Sequence, residues 1–399
     1  MGFKTKAGNF IDKVFGKDIV VEVDGVAYSN FLSVSVTRSL ETIANEFTVT
    51  GTVEKLEDFQ ISLGDDVVIL FHEVSILDGY VEAISSEYSN NGHTVTISGR
   101  DRTADIVDGT VFKPLVINGA MTLKVLLTKL LSENGISNIN VIDLVRPDIF
   151  EKTDQIEVEK GTGLFEVVDK YCAKRQVLAT TNGQGDLVIT RGGVEAEEYS
   201  DKILHIANQF QSGQNNVLQA SKTQASSNRY NKYIVQCQED ILSQLFQGSS
   251  LGNEILPVNE GVVFDQDIRK SRILVIVDES LGNAELAKKR AEWEASIRKS
   301  RSFGYTCSVQ GFLVDKTKVW SPNSLVHVTD ERLDVDEKLL IRDVSFSYTV
   351  DNGSITQLTL VKEDSYIPKP LSPDFGELTV NNLLDDIKRV QVGGNEWAF

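Results

Sequence analysis

Residues 94–110 read TVTISGRDRTADIVDGT, and this stretch joins a strand pattern to a helix pattern. Val95 and Ile97 alternate with polar residues, which is typical of a strand with one buried face. The alternation stops at Gly99, the charged triplet RDR at 100–102 follows, and TADIVD then has a helix-like pattern. A sheet therefore ends here and a mixed segment begins. The charges at the break suit a catalytic cluster, a partner-binding corner or a solvated turn.

The charge balance bears on which classes of partner the protein can bind. The chain has 399 residues, which suits about two to four domains. Its 40 basic and 58 acidic residues give a net charge of −18. Such a chain repels polyanions, so stable nucleic-acid binding is not expected. An acidic wall past which DNA moves without sticking is still compatible with this charge.

The cysteines and the apolar runs indicate a reduced, non-membrane protein. Cys172, Cys237 and Cys307 lie far apart and form no CxxC or Cys/His metal spacing. They are expected to be reduced core residues of a cytosolic protein. Residues 1–17 contain no apolar region of the kind found in secretory signals. No run approaches 18 apolar residues, so no membrane insertion is expected.

The pattern along the chain predicts an α+β fold that is mainly β. Short alternating strands separated by Asp24-Gly25 and Asn91-Gly92 turns indicate a small barrel or sandwich. MTLKVLLTKLLSENG at 121–135 has leucines at helical spacing, with Thr122 as a cap. The predicted parts are an N-terminal arm at 1–17, a first β-barrel domain at 18–102, an α/β insert at 103–204, a second β-barrel domain with an inserted helix at 205–367, and a C-terminal extension at 368–399.

The two terminal segments each have two interpretations. Residues 1–17 form either a helix packed on its own domain or a basic, partner-docking arm. The extension ends on Trp397 and Phe399, and bulky aromatics at a terminus often occupy a pocket on a partner. The alternative is a disordered tail. Trp397 and Phe399 are therefore candidate interface residues.

A pattern of turns and strands occurs twice. Each copy has a turn followed by a strand, an apolar strand that runs to a tyrosine, and an Asn-Gly turn. The matching parts are 64–69 with 323–328, 76–81 with 339–344, Tyr88 with Tyr348, and Asn91-Gly92 with Asn352-Gly353. This predicts two related β domains. A trimer of such chains presents six barrels around one axis, which suits an adaptor between six-fold and three-fold partners.

No catalytic, cofactor or metal motif is found. The histidines lie on or beside predicted strands with no ligand partner at metal spacing; they are His72, His93, His205 and His327. Gly161-Thr-Gly163 lacks the third glycine of a dinucleotide fingerprint. Asp65-Asp66 is a weak candidate for glycoside hydrolysis, because 58 acids make such adjacency common. We therefore expect no enzyme, no cofactor and no metal.

The charged break has a simple interpretation and a more specific one. Arg100, Asp101, Arg102 and Asp105 could form surface ion pairs worth about 0–1 kcal/mol each. Alternatively, arginine forks fix carboxylates at an interdomain or intersubunit corner. The second interpretation is favoured because the cluster lies where the first β domain meets the insert. Reversing the charge of Arg100 or Asp105 is then expected to harm formation of the trimer.

SGRDRTADIVD at 98–108 resembles the SGR-x-x-TADLVD signature of baseplate hub proteins of Mu-like contractile-tailed phages, within the wider late control D and tail hub family. Ile106 stands where that signature usually has leucine. Three more stretches support the resemblance: MTLKVLLTKLLSENGI, KGTGLFEVVDKYCAKRQVLATTNGQGDLVITRG and WSPNSLVHV. The resemblance covers about residues 18–365 and excludes both terminal segments.

The resemblance implies a structural role in a virion. It implies a homotrimer whose two barrel domains form a pseudo-six-fold ring around a DNA channel. This hub joins the six-fold tail tube to the three-fold central spike within the tail baseplate, among baseplate wedge proteins, and is assembled in the host cytoplasm. The particle is a contractile phage tail or a tailocin. The family has no catalytic residues to transfer.

Two other functions stay open at the level of sequence. One is the hub portion of a secretion-system spike, although residues 368–399 show no short β-helix repeats. The other is a tail-associated cell-wall hydrolase, for which the sequence contains no convincing set of acids.

Overall fold

A computed structural model describes residues 19–28, 31–52, 60–90, 92–118, 120–150, 155–193, 196–207, 215–238, 258–278, 284–315 and 317–367. The predictions made for the arm at 1–17, and for Trp397 and Phe399 in the extension, lie outside these residues. The described chain is α+β and mainly β, as the sequence predicts.

The first β unit is an antiparallel sheet. Its strands are β1 Ile19–Val23, β2 Val26–Tyr28, β3 Ser33–Ser39, β4 Glu46–Thr52, β5 Asp66–Phe71, β6 Val74–Ser89 and β7 Gly92–Asp101. Their spatial order is β3-β4-β7-β6-β5-β1-β2. Asp24 and Gly25 both have positive φ, at 48° and 72°, as a tight hairpin turn requires.

The insert has its own hydrophobic core between helices and short strands. Its elements are α1 Ala104–Asp108, β8 Leu115–Asn118, α2 Leu123–Glu133, β9 Val141–Asp143, β10 Gln155–Val158, α3 Leu164–Ala173, β11 Leu178–Thr181 and β12 Leu187–Thr190. The predicted helix at 121–135 is confirmed as α2. Its Thr122 side chain accepts a hydrogen bond from the Val125 amide at 3.3 Å. Gly135 has φ +86°, which suits a helix end.

The second β unit begins earlier than predicted. Its strands are β13 Glu197–Ile206, β14 Val217–Gln224, β18 Phe303–Gln310, β19 Ser324–Asp330, β20 Val335–Thr349 and β21 Gly353–Lys362, and a 3-10 helix at Glu363–Tyr366 follows. Strand β13 pairs in parallel with β19, and Tyr199 and Leu204 are buried in the core of the β units. The boundary predicted at residue 204 is therefore wrong, because a strand assigned to the insert belongs to this unit.

A separate small layer is inserted into the second unit. Strands β15 Lys232–Gln238, β16 Val258–Phe264 and β17 Ile273–Val277 form their own three-stranded sheet, in the order β16-β15-β17. Helix α4, Ala284–Arg301, packs on it through Ala287 and Ala291. A Cβ on Gly261 would meet the Ala287 backbone at 2.2 Å, so this glycine allows the close approach. The inserted helix that the sequence predicts is α4, and the structure adds that the three strands before it form a sheet of their own.

The two β units share one sheet and one core. Strand β3 of the first unit pairs antiparallel with the second half of β20. The Phe312 ring lies 4.6 Å from the Phe71 ring and 5.0 Å from the Phe346 ring, so it links the two units. Closure of either unit into a barrel stays a prediction.

The structure shows the repeat in its topology. The order β3-β4-β7-β6-β5 in the first unit matches β14-β18-β21-β20-β19 in the second. Both long strands carry a bulge at the same place: the register shifts at Glu82 in β6 and at Arg342 in β20. Each last strand, β7 or β21, leads into a short helix. Since bulges are specific local features, their shared position supports the equivalence of the two units.

Candidate assembly interface

Arg100 binds two carboxylates. It lies near the end of β7, and its guanidinium donates to Glu82 at 2.7 and 2.8 Å and also to Asp108 on α1. Glu82 is the bulged residue of β6, so the bulge points this carboxylate at the arginine. These hydrogen bonds raise the pKa of Arg100 above its ordinary value. Arg100 therefore ties the strand end to the first helix of the insert.

Arg102 binds a second pair of acids. Its Nε donates to Asp78 at 2.7 Å, and its Nη2 lies 3.1 Å from Asp66. Nη1 donates to the Tyr80 hydroxyl at 3.1 Å, and the guanidinium also lies over the Tyr80 ring. Arg102 thus connects β5, β6 and the start of the insert.

Asp101 lies between the two arginines and points into the protein. Its carboxylate is fully buried and accepts hydrogen bonds from the Thr103 amide at 3.2 Å, from the Thr103 hydroxyl and from the Thr181 hydroxyl at 3.1 Å. Burial raises the pKa of this carboxyl, and the hydrogen bonds partly oppose that shift. Because Thr181 belongs to β11, Asp101 joins the first β unit to the insert.

Asp105 differs from its neighbours in its exposure and in the acidic charges near it. It is an exposed residue in the first turn of α1. Burial of its carboxyl raises the pKa, and the nearby charges of Asp108 and Glu82 raise it further. The nearby charges of Arg100 and Arg102 partly oppose this shift, so the carboxylate of Asp105 is only less favoured here than in water.

A turn of the insert, 182–186, fits against this corner. Gly183 has φ +78°, and its carbonyl accepts from the Asp78 amide at 2.9 Å. A Cβ at Gly185 would lie 2.9 Å from the Arg102 side chain. The buried Arg38 of β3 donates to the Asn182 carbonyl at 2.7 Å, and burial lowers its pKa to about 10. The cluster thus lies at an interdomain corner; its role between chains stays a prediction.

Sequence reasoning missed Arg38, although the strand pattern contains a signal for it. In SVSVTRS, Arg38 falls in line with Val34 and Val36, whose side chains face the core. A charged residue at an inward position of an alternating strand indicates a buried partner. Here the partner is a backbone carbonyl of the insert.

Sequence reasoning also missed two open strand edges. Strand β5 pairs with β6 only as far as Tyr80, so on that side 83–89 has no neighbouring strand among the described residues. Strand β14 pairs with β18 on one side and has no strand on the other within the same residues. Tyr88, near the tip of β6, is 85% exposed. Exposed edges of this kind are ready to pair with another chain.

No group of three or more His, Cys, Asp or Glu side chains that could hold a metal occurs in the ranges the structure describes. Over the same part of the chain, none of the helices is both long enough and apolar enough to span a membrane. The three cysteines are buried free thiols, and burial raises the pKa of Cys172 and Cys307 to about 12.

Three family models match the chain in sequence order. Residues 18–101 match the N-terminal domain of Mu phage baseplate assembly protein GpP-like proteins. Residues 103–191 match the second domain of baseplate hub protein gp44-like proteins, and 283–369 match the fourth domain of Mu phage baseplate assembly protein GpP. The second match ends at 191, before β13 begins at Glu197.

Individual relatives show the same similarity. Baseplate hub protein gp44 of Escherichia phage Mu is 21% identical over 360 residues, covering 88% of this chain and 89% of gp44. The 43 kDa tail protein of prophage MuSo2 from Shewanella oneidensis superposes with a TM-score of 0.72 and 26% identity, over 89% of this chain and all of that chain. A tail protein of Neisseria meningitidis MC58 gives 0.68 and 17%, over 88% and 98%.

A more distant structure shares the fold. An Escherichia coli protein described as a type VI secretion component, similar to T4 tail proteins gp27 and gp5, gives a TM-score of 0.51 at 10% identity, over 88% of this chain and 80% of that chain.

These matches identify a chain with duplicated β units, an ion-paired corner and open strand edges as a structural protein of phage tails. The chain belongs to the Mu-like baseplate hub family, as the matched models and relatives show. It is a baseplate hub of a Mu-like phage tail and a component of the virion.

Proposed function

We propose that three copies of this chain form a ring that joins the six-fold tail tube to the three-fold central spike. The observation that carries the proposal is the repeat: two β units of equal strand order lie in one chain. A trimer then presents six similar β units to a six-fold partner. Its three identical chains match a three-fold partner. A single-unit chain would offer only one of these symmetries as a trimer.

The proposed partners are those that the resemblance to baseplate hub proteins implies. They are two further copies of the chain, the central spike protein, the tail tube protein and the baseplate wedge proteins. The particle is a contractile phage tail or a related tailocin, with assembly in the host cytoplasm. The resemblance in sequence and the baseplate hub gp44 of phage Mu support this set of partners.

The proposed ring encloses a channel through which DNA passes without binding stably. The net charge of −18 supports this part, because a negative wall repels phosphate. The role is one of assembly without catalysis. A clearing assay on peptidoglycan tests that point: turbidity should not change, whereas clearing that is lost on Asp66→Asn would establish a hydrolase instead.

Mass measurement of the purified full chain, alone and mixed with spike and tube proteins, tests the trimer. One chain has a mass of 44.2 kDa, so the expected species is about 133 kDa, and it should bind the spike. A chain that stays at 44.2 kDa at every concentration and never joins either partner would refute the proposal.

The second candidate function is the hub portion of a secretion-system spike. The shared fold with the type VI component favours it, and that likeness concerns the fold alone. Binding of the purified chain to a phage tail tube protein, compared with a secretion tube protein, distinguishes the two functions.

A further inference from the structure

The two β units of one chain meet through a specific strand pair. Strand β3 lies antiparallel to the second half of β20, with Val36 opposite Phe346 and Val34 opposite Tyr348. On the other face, the hydroxyl oxygens of Thr37 and Ser345 lie 3.4 Å apart. We call such a strand pair, which joins two neighbouring β units, a seam.

The repeat identifies the strands equivalent to this pair. In the first unit, β3 pairs with β4, and Val36 lies opposite Phe47. In the second unit, β14 pairs with β18, and Lys222 lies opposite Tyr305. Sequences EFTVTGT of β4 and FGYTCSVQ of β18 align at these aromatics. Strand β14 is therefore the counterpart of β3.

The counterpart of the second half of β20 is the second half of β6. Both halves begin at the shared bulge, and Tyr88 corresponds to Tyr348. In β20 this half is covered by β3. In β6 the same half, 83–89, is almost entirely exposed. One seam is thus formed within the chain. Among the described residues, neither β14 nor 83–88 has a strand on the side where its counterpart is paired.

We propose that β14 of one chain pairs antiparallel with residues 83–89 of a second copy, in the register of the β3–β20 pair. This inference rests on the proposed trimer and specifies how its chains meet. Three such seams alternate with three β3–β20 seams and close the ring. The resulting pairs are Ala220 with Tyr88, Ser221 with Glu87, Lys222 with Ser86, Thr223 with Ser85, and Gln224 with Ile84.

The side chains of the two edges are compatible in this register. Ala220 leaves room for Tyr88, which is 85% exposed in the single chain. Lys222 faces Ser86 and Glu87 faces Ser221, so like charges are never directly opposite. Thr223 and Ser85 repeat the hydroxyl pair of Thr37 and Ser345. A shift by one residue would reverse the faces and lose all of these matches.

Disulfide trapping of the full chain tests the register. We would prepare the double variants Ser221→Cys/Glu87→Cys and Lys222→Cys/Ser86→Cys. Neighbouring cross-strand pairs alternate between wide and close Cα spacing, so one of the two is placed well for a disulfide. The native cysteines are buried and do not interfere. Mild oxidation should give covalent dimers and trimers on non-reducing gels.

The matched control is Ser221→Cys/Ser86→Cys, which places the thiols on opposite faces of the proposed sheet. It should trap at least about tenfold less than the better in-register pair. A trimer by mass that traps no in-register pair, or traps the control equally, would overturn the seam and leave the hub function standing. A chain that is monomeric at all concentrations would overturn both.

Discussion

At the residue scale, Arg100 is the side chain that couples the first β unit to the insert by charge. It is one-quarter exposed and holds both Glu82 and Asp108. Replacing it by glutamate would put three acids in contact. We expect Arg100→Glu to lower the free energy of unfolding by about 1–3 kcal/mol, because two ion pairs become repulsions that solvent partly screens. Urea unfolding measures the change.

Asp105 provides the matched control for that variant. Since burial, and then the acidic neighbours Asp108 and Glu82, raise the pKa of Asp105, Asp105→Asn should leave stability unchanged or raise it slightly. The expected harm from reversing Asp105 therefore depends on contacts with another chain. If Arg100→Glu is as stable as the wild type and assembles normally, the cluster is an ordinary surface turn.

Asp101 predicts a pH dependence. Burial raises its pKa above the ordinary 3.8, so the folded state keeps this proton to a higher pH than the unfolded state does. Its contribution is fully present below the unfolded pKa and is lost as pH rises through the folded pKa. Asp101→Asn should remove this pH-dependent contribution to the free energy of unfolding. The free energy of unfolding of the wild type, relative to that of Asp101→Asn, should therefore fall as the pH rises above the ordinary aspartate pKa of 3.8. A difference that does not change with pH would contradict the assignment.

At the scale of elements, the turn 182–186 fixes the insert against the first β unit. A Cβ at Gly183 would lie 2.8 Å from the Arg38 guanidinium and 2.9 Å from the Ile76 carbonyl, at a φ of +78°. We expect Gly183→Ala to cost about 2–3 kcal/mol through strain and displacement of Arg38.

Gly304→Ala is the control for that substitution. Gly304 lies in β18, and no atom would lie within 4 Å of the added methyl group. Its effect should be within about 0.5 kcal/mol. If thermal unfolding shows equal losses for both variants, the turn does not hold the insert in place.

The predictability of each element depends on how local its determinants are. Helix α2 was predicted within about two residues because its leucine spacing and Thr122 cap are local signals. The parallel pairing of β13 with β19 was missed because its determinant is a partner more than a hundred residues away. The β15–β17 sheet was missed for the same reason: alternation marks a strand but does not show which sheet it joins.

The residues of the candidate site were also predictable only where their signal is local in the sequence. The triplet at 100–102 was found because its charges interrupt a strand pattern, and its partners Glu82 and Asp78 were not found because they lie on another strand. The open edges at β14 and 83–89 appear only when the strand order is known.

At the scale of the whole molecule, the central claim is that a duplicated chain forms a three-chain ring with six β units. An electron-microscopy average of the assembled particle, viewed along its axis, tests this most directly. The account predicts one ring of six similar densities arranged as three chains, with β14 at every second seam. A ring of three densities would contradict this claim. Six densities whose chains meet through a surface other than these edges would contradict the proposed seam alone.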